Sequence, residues 1–495
     1  MITTAVNRAR QSVRMDKGKI IKTLFSFAVM GIFTLLPPIE PLTAVGMKTL
    51  GVFIGTVLLL SLVDTVWPAI LCIPLFALTG VMKLNETIIA SMGSWITMFI
   101  IMSFILTYSL NATGFTARLT AFYMSRRFAS RSPWTFTVAL ISLGMIVGWF
   151  LDPVPTVAFF MGFSGRIFRE LGYKTTDRYP HMVTMALAFA INIAGGMTPI
   201  SHPLAILGMG IYSQATGNSI NLFSYMMYAV PVGLLIYIGL LLLLRLFFKP
   251  DMKRFEDFDV RKVLDEIKPM DLREKITVVV FFATVILWML PGVLTMFNPD
   301  LAVIALLNKL GAAFWALIAV VILAFVEVDN KPVIDMKEAF TKGVSWGTVF
   351  LAAAAILLGA AVTNEAVGLN DFIVGNIVPI TESLPPILIV LVLTGLTSVM
   401  TNFTSNVTTI VLMTGVSVSI ALGSGGAINP AAIALTTTMV GALAYMVPAS
   451  FASIGVLYGD EYSHGGTIFK YGGYTVIITT IVATFIGYPL ACMIV

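Results

Sequence analysis

Between Gly343 and Phe469 the chain carries not one lysine or arginine, and over all 495 residues only 11% are charged. Cysteine is nearly absent as well. Cys72 and Cys492 each lie in an apolar run, which excludes a disulfide framework and a thiolate metal site and leaves both as small packing residues. Three histidines, none in an HExxH-like spacing, exclude the common metalloenzyme patterns. The formal net charge of +5 is spread over many loops with no basic domain, so no nucleic-acid partner is expected. No small-residue cleavage site follows the first apolar run and further runs do follow, so it reads as a membrane span and not as a removed leader.

What is present is apolar: 58% of the residues. Segments of about 20 apolar residues recur along the chain, the length that a bilayer core of roughly 30 Å requires. The sequence therefore predicts an all-α polytopic membrane protein with the lipid bilayer as its main partner. Spans are expected near 20–36, 46–63, 67–82 and 90–112, then 181–212 and 225–248. Six basic residues (Arg8, Arg10, Arg14, Lys17, Lys19 and Lys22) precede the first span, which predicts a cytoplasmic N-terminus. The loop after the fourth span holds Arg118, Arg126, Arg127 and Arg131, and a later one Arg166, Arg169, Lys174 and Arg178. Both belong on the cytoplasmic side, so the apolar stretch between them, about 132–166, must enter and leave by one face. At its middle lies Leu151-Asp152-Pro153-Val154-Pro155-Thr156, where prolines break the helix and an aspartate is too costly to face lipid. This predicts a re-entrant hairpin. The next span is interrupted by Gly195-Gly196-Met197-Thr198-Pro199-Ile200-Ser201-His202-Pro203, the mark of a discontinuous helix.

Residues 249–275 hold eight Lys/Arg and eight Asp/Glu with Phe255, Phe258, Val263, Leu264 and Ile267 among them, and read as an amphipathic cytoplasmic connector. Beyond it, spans are expected near 276–296, 301–326, 346–363, 430–457 and 473–493, with a second hairpin at about 385–422 free to open outward. Its tip is Thr401-Asn402-Phe403-Thr404-Ser405-Asn406-Val407-Thr408-Thr409, in which seven of nine residues carry a hydroxyl or amide and none a charge. Such groups are expensive in hydrocarbon unless paired or facing a cavity. They suit an anion or a bare cation at a helix break, or a hydroxyl-rich helix contact.

The two halves resemble each other. Ser94-Trp95-x-Thr97-x-Phe99 recurs as Ser345-Trp346-x-Thr348-x-Phe350, the tip Asp152–Thr156 as Ser405–Thr409, and Met197–Ser201 as Met446–Ser450. With the loop charges, this predicts an inverted repeat of residues 46–248 and 276–495, preceded by residues 1–45. Paired hairpins and broken helices in an inverted repeat are the architecture of secondary transporters. Candidate substrate contacts at the tips are Asp152, Pro153, Val154, Pro155 and Thr156 in the first half, and Ser405, Asn406, Val407, Thr408 and Thr409 in the second. Opposed helix N-termini there suit the two ends of a dianion, each contributing about 0.3–1 kcal/mol.

The Ser405-Asn406-Val407 tip, with the repeat around it, resembles the Ser-Asn-Thr signature of the divalent anion:sodium symporter family, the INDY-type di- and tricarboxylate transporters. The resemblance covers nearly the whole chain. It implies about 11 transmembrane helices plus the two hairpins, an elevator mechanism, a homodimer in the plasma membrane, and no cofactor. It also implies substrate contacts at Ser201 and Ser450, and a sodium ion at Thr401, Thr404, Asn406 and the backbone near Ala449. The first tip departs from the signature, and His202 stands where the family usually has a proline. The reading that follows is a fixed Asp152–His202 pair replacing one sodium, with His202 beside the substrate, in a carrier that exchanges C4–C5 dicarboxylates such as succinate, malate, fumarate and 2-oxoglutarate. The alternative for these two residues is simple helix capping. Sodium-coupled symport and a cation/proton antiporter using Asp152 are the alternatives for function. An intramembrane enzyme resting on Gly459-Asp460 lacks a catalytic partner, and a channel lacks a filter repeat.

Overall fold

The computed structural model describes residues 16–126, 132–248, 269–381 and 384–495. Arg8, Arg10, Arg14, Arg127, Arg131 and the connector up to residue 268, with Phe255, Phe258, Val263, Leu264 and Ile267, lie outside them.

The chain opens with α1 (Lys17–Leu35), whose N-cap Asp16 accepts from the Gly18 amide, and α2 (Ala44–Leu62), capped by Thr43. Asp64 accepts from the Val66 amide and turns the chain into α3 (Trp67–Leu78). The span expected at 67–82 is thus a twelve-residue helix, followed by α4 (Leu84–Ser91) as a separate piece. Then come α5 (Trp95–Ala112) and the short α6 (Phe115–Met124). The first hairpin is α7 (Pro133–Gly148) and α8 (Pro153–Glu170), each begun by a proline, which costs no hydrogen bond at the first helical position. The first broken helix is α9 (Arg178–Met197) and α10 (Leu204–Thr216), and α11 (Leu222–Phe247) ends the half.

The second half repeats the series with different lengths. It begins with α12 (Leu272–Phe297) and α13 (Ala302–Phe325), the latter kinked at Gly311. Next come a two-stranded hairpin, β1 (Glu327–Val328) with β2 (Lys331–Pro332), and a π-helical turn at Ala339–Gly343. Then follow α14 (Trp346–Thr363) and α15 (Leu369–Thr381). The second hairpin is α16 (Pro386–Phe403) and α17 (Asn406–Gly423); the second broken helix is α18 (Pro430–Gly441) and α19 (Ala452–Gly459). The chain closes with α20 (Gly465–Val482) and α21 (Tyr488–Ile494).

Among the described residues ten helices are long and apolar enough to cross a membrane, or eleven if the pair bent by 69° at residues 344–345 is one span. The protein is an all-helical, multi-pass membrane protein. Its outer helices turn large apolar side chains outward, as Leu35, Phe297 and Phe325 show. The centre is α9, almost wholly buried between α7, α8 and α11. Cys72 is buried as expected, whereas Cys492, near the C-terminus, is exposed.

A largely buried ion pair joins the two halves, in addition to an exposed one between Arg169 and Glu461. Arg118 of α6 forks onto Glu274 at the start of α12, Nε donating to Oε1 at 2.8 Å and Nη2 to Oε2 at 2.7 Å. The Glu274 side chain is only 3% exposed, and its hydrogen bonds push the Arg118 guanidinium still further up. Glu274→Gln keeps the volume but loses the charge-assisted fork, and should cost about 1–3 kcal/mol. A lower thermal midpoint in detergent checks this; an unchanged midpoint contradicts it.

Candidate functional site

The first tip is built around a helix cap. Prolines 153 and 155 fix the backbone for the opening turn of α8, and Asp152 is its N-cap, Oδ1 accepting from the Val154 amide at 2.9 Å. Its carbonyl accepts from the Thr156 hydroxyl at 2.7 Å. No bond joins Asp152 to His202. The fixed pair expected from the sequence is therefore not formed, because the carboxylate serves the free amides of its own helix. Of the two readings, capping describes Asp152. His202 does neither: it makes no cap bond, its Nδ1 is buried without a hydrogen-bond partner, and its ring stands edge-on to Phe451 with centroids 5.2 Å apart. As a cap, Asp152 has a modest worth. Asp152→Ala should lower stability by about 1 kcal/mol while Asp152→Asn stays near wild type; equal losses in a melting series would contradict the cap.

The tip is held against the first break. Thr198 donates to the Trp149 carbonyl at 2.6 Å, and the Trp149 indole N–H points at the Met197 sulfur, 2.9 Å away. At Gly195 a Cβ would come within 3.0 Å of the Pro153 ring, so the tip rests on the bare backbone. Ser201 is buried, 3.5 Å from the Thr198 hydroxyl.

The second tip is tied to the second break by side-chain amides. Asn402 accepts at Oδ1 from the amides of Tyr445 and Met446 at 2.7 and 3.0 Å, and donates to the carbonyls of Ser398 and Leu443. Asn406, in the first turn of α17, donates from Nδ2 to the Ala442 carbonyl at 2.9 Å. That bond fixes its Oδ1 toward the Thr401 hydroxyl, 3.0 Å away, which also reaches the Gly441 carbonyl. Two acceptor oxygens thus converge on a hydroxyl that has one proton to give. Thr404 pairs with Thr409 at 2.9 Å and with the Met400 carbonyl. The carbonyls brought to Thr401 and Asn406 are those of Gly441 and Ala442; Ala449 lies further along, exposed. Ser405 is the N-cap residue of α17 with no side-chain cap bond, Val407 is buried, and Thr408 keeps a buried hydroxyl without a partner. Ser450 donates to the Val447 carbonyl at 2.6 Å.

The two breaks also touch each other. Besides the His202–Phe451 ring contact, Asn192 of α9 donates to the Ala444 carbonyl at 3.1 Å and accepts from Ser453 of α19 at 2.6 Å. α8 packs on α19, and α10 packs on α17. The result is one connected constellation: first tip, first break, second break, second tip. Four helices, α8, α10, α17 and α19, begin at these points. Asn192 and Ser453 were not singled out from the sequence, and Asn402 was named within the polar tip but not as a contact. A lone amide in the otherwise apolar run of α9 is the signal that points to Asn192.

Two helical hairpins and two broken helices meeting inside a multi-pass bundle define a secondary transporter. The sequence pattern of the CitMHS family, described as citrate transporter, matches residues 56–440, and the chain belongs to that family. Among its relatives, the sodium-dependent dicarboxylate transporter SdcS of Staphylococcus saprophyticus is 25% identical over 293 residues, 58% of this chain and 54% of that one. An uncharacterized transporter of Methanocaldococcus jannaschii is 22% identical over 289 residues, 58% of this chain and 59% of its own. These matches span little more than half the length of either relative. The family and these relatives are transporters and not enzymes. The YdaH transporter of Alcanivorax borkumensis shares the fold, with a TM-score of 0.54 over 96% of this chain and 98% of that one at 13% identity.

Proposed function

We propose that the protein carries small multi-carboxylate anions of the C4–C5 dicarboxylate type, succinate, malate, fumarate and 2-oxoglutarate among them, together with sodium held at the second tip. The observation that carries the reading is the unbroken run of contacts from tip to break to break to tip. It gathers helix N-termini, hydroxyls and amides without a lysine or arginine, since none occurs from residue 179 to 244 or from 343 to 469. Such dipoles hold an anion loosely enough to release it. The candidate substrate contacts are Asp152–Thr156, Ser201, His202, Ser405–Thr409 and Ser450. Of these His202 and Thr408 offer buried polar atoms with no protein partner, so both have bonding capacity left for a ligand.

The oxygen-rich spot at Thr401, Asn406 and Gly441 supports sodium as a co-substrate, because a cation supplies the positive charge that a single hydroxyl proton cannot. Thr404 belongs to its surroundings through Thr409. The dependence on sodium and the dicarboxylate substrate named for the Staphylococcus relative, and the citrate named for the family, point the same way. Obligatory exchange rested on a fixed Asp152–His202 pair, which is not formed, and an antiporter using Asp152 finds that carboxylate engaged as a cap. The tips and broken helices move as one body against the remaining helices, in elevator fashion. The carrier works as a homodimer in the plasma membrane with a cytoplasmic N-terminus.

Uptake of radiolabelled succinate into proteoliposomes tests this, with and without sodium and with or without internal dicarboxylate. The expected result is uptake into empty vesicles driven by an inward sodium gradient. Uptake that ignores sodium and needs internal dicarboxylate would make the protein an exchanger. No flux of either succinate or citrate would reject the substrate class.

A further inference from the structure

The second break is a strap of unwound backbone, and five of the six carbonyls from Gly441 to Met446 are held by a side chain. Gly441 O receives Thr401, Ala442 O receives Asn406, Leu443 O receives Asn402, and Met446 O receives the Tyr458 hydroxyl at 2.6 Å. All these donors belong to the second half of the chain. The exception is Ala444 O, which receives Asn192 Nδ2 from α9 in the first half. The same amide accepts at Oδ1 from the Ser453 hydroxyl, at the second position of α19. Asn192 and Ser453 are both buried, so neither end of this link has water as a substitute. Six residues beyond Asn192 the first helix breaks at Thr198, leading to Ser201 and His202.

We infer that Asn192 is a positioning residue that couples the sodium spot to the substrate contacts of the first half; this rests on the sodium-coupled reading above. Sodium drawn to Thr401, Asn406 and Gly441 orders the strap from one side. The strap passes that order through Ala444 and Ser453 to α9, and so to the break that carries Ser201 and His202. Two sites joined through one ordered segment show a coupling free energy, and the coupling is reciprocal. Removing the Asn192 amide cuts this hydrogen-bonded route from the strap to α9 without touching the oxygens at either site. The defect it produces is a loss of cooperation, distinct from a loss of either site.

Equilibrium binding of succinate to the purified full-length protein, at zero and at saturating sodium, reads this directly. In the wild type, sodium should tighten succinate binding by about tenfold, within the range usual for coupled sites. In Asn192→Ala the ratio should fall below about threefold, with succinate lowering the half-saturating sodium by an equally reduced factor. Ser453→Ala, which leaves the Asn192–Ala444 bond in place, should reduce the ratio in the same direction and carries the test if Asn192→Ala does not fold. Ser453→Thr, which retains the hydroxyl, should keep it. A purely structural role would lower the melting temperature and leave the sodium ratio untouched, and that result overturns the inference alone. A wild type whose succinate binding ignores sodium overturns the functional reading, and the inference falls with it.

Discussion

Asn406→Ala should bring sodium-dependent succinate uptake close to background while the protein still reaches the membrane. The side chain does two things at once. Its Nδ2 satisfies the Ala442 carbonyl on the strap, and its Oδ1 is one of the two acceptors that converge on Thr401. Truncation leaves the buried Ala442 carbonyl without its donor, which costs about 1–3 kcal/mol, and deletes an oxygen from the cation spot. A polar contact to a charged ligand is worth about 1.5–3 kcal/mol, so the half-saturating sodium concentration should rise by roughly 10–150-fold. Asn406→Asp separates the two roles, because it keeps an oxygen toward Thr401 but turns an acceptor toward Ala442 O. Sodium affinity should then suffer less than in the alanine variant, and thermal stability more. The sodium dependence of initial uptake rates, read beside melting curves, checks both. Wild-type sodium dependence in Asn406→Ala would remove the second tip from the coupling mechanism.

Gly208→Leu should abolish folding to the native bundle, and Gly208→Ala should weaken it markedly. A Cβ at Gly208 of α10 would lie 1.9 Å from the Thr438 hydroxyl oxygen, 2.4 Å from its Cγ2 and 2.6 Å from its Cβ on α18. Rotating the threonine relieves the first two contacts and not the third, because the Cβ is fixed by the helix backbone. The helices must therefore move apart. Overpacking of this kind costs about 1–3 kcal/mol for one methyl group and more for a larger side chain. α10 and α18 come from different halves, and α10 also packs on α17, so the displacement reaches the second tip as well. Thr438→Gly combined with Gly208→Ala should restore most of the lost stability, which a defect unrelated to the Thr438 contact would not allow. Thermal midpoints of the two single variants and the double variant decide between these accounts.

Much of this architecture is written in short-range chemistry. Pro153, Pro386 and Pro430 each open a helix as a proline at the first position should, and the Gly/Pro cluster from Gly195 to Pro203 breaks its span where expected. The dense polar tip at 401–409 sits at the turn of the second hairpin. What the sequence does not disclose is partner choice. Asp152 and His202 looked like a pair because both are ionisable groups in apolar surroundings, yet a carboxylate next to free helix amides finds its partner within two residues. The carbonyls of Gly441, Ala442 and Leu443 find theirs 36 to 41 residues away along the chain, and that of Ala444 finds Asn192 252 away, at distances no local pattern encodes. Ala449 was chosen for the cation by resemblance; the carbonyls that Thr401 and Asn406 reach in the structure are those of Gly441 and Ala442. The short helices α4, α6 and α15 were also not foreseen as separate elements. They are 8 to 13 residues long, below the length at which apolar periodicity distinguishes a helix from a loop running along the bundle.

The central claim is that sodium and a multi-carboxylate anion cross together. The most direct measurement is entry of radiolabelled sodium into proteoliposomes at equal sodium concentration on both sides, with an inward succinate gradient as the only driving force. Joint transport predicts transient sodium accumulation above the equilibrium level, abolished by Asn406→Ala. Succinate entry with no net movement of sodium would contradict the account.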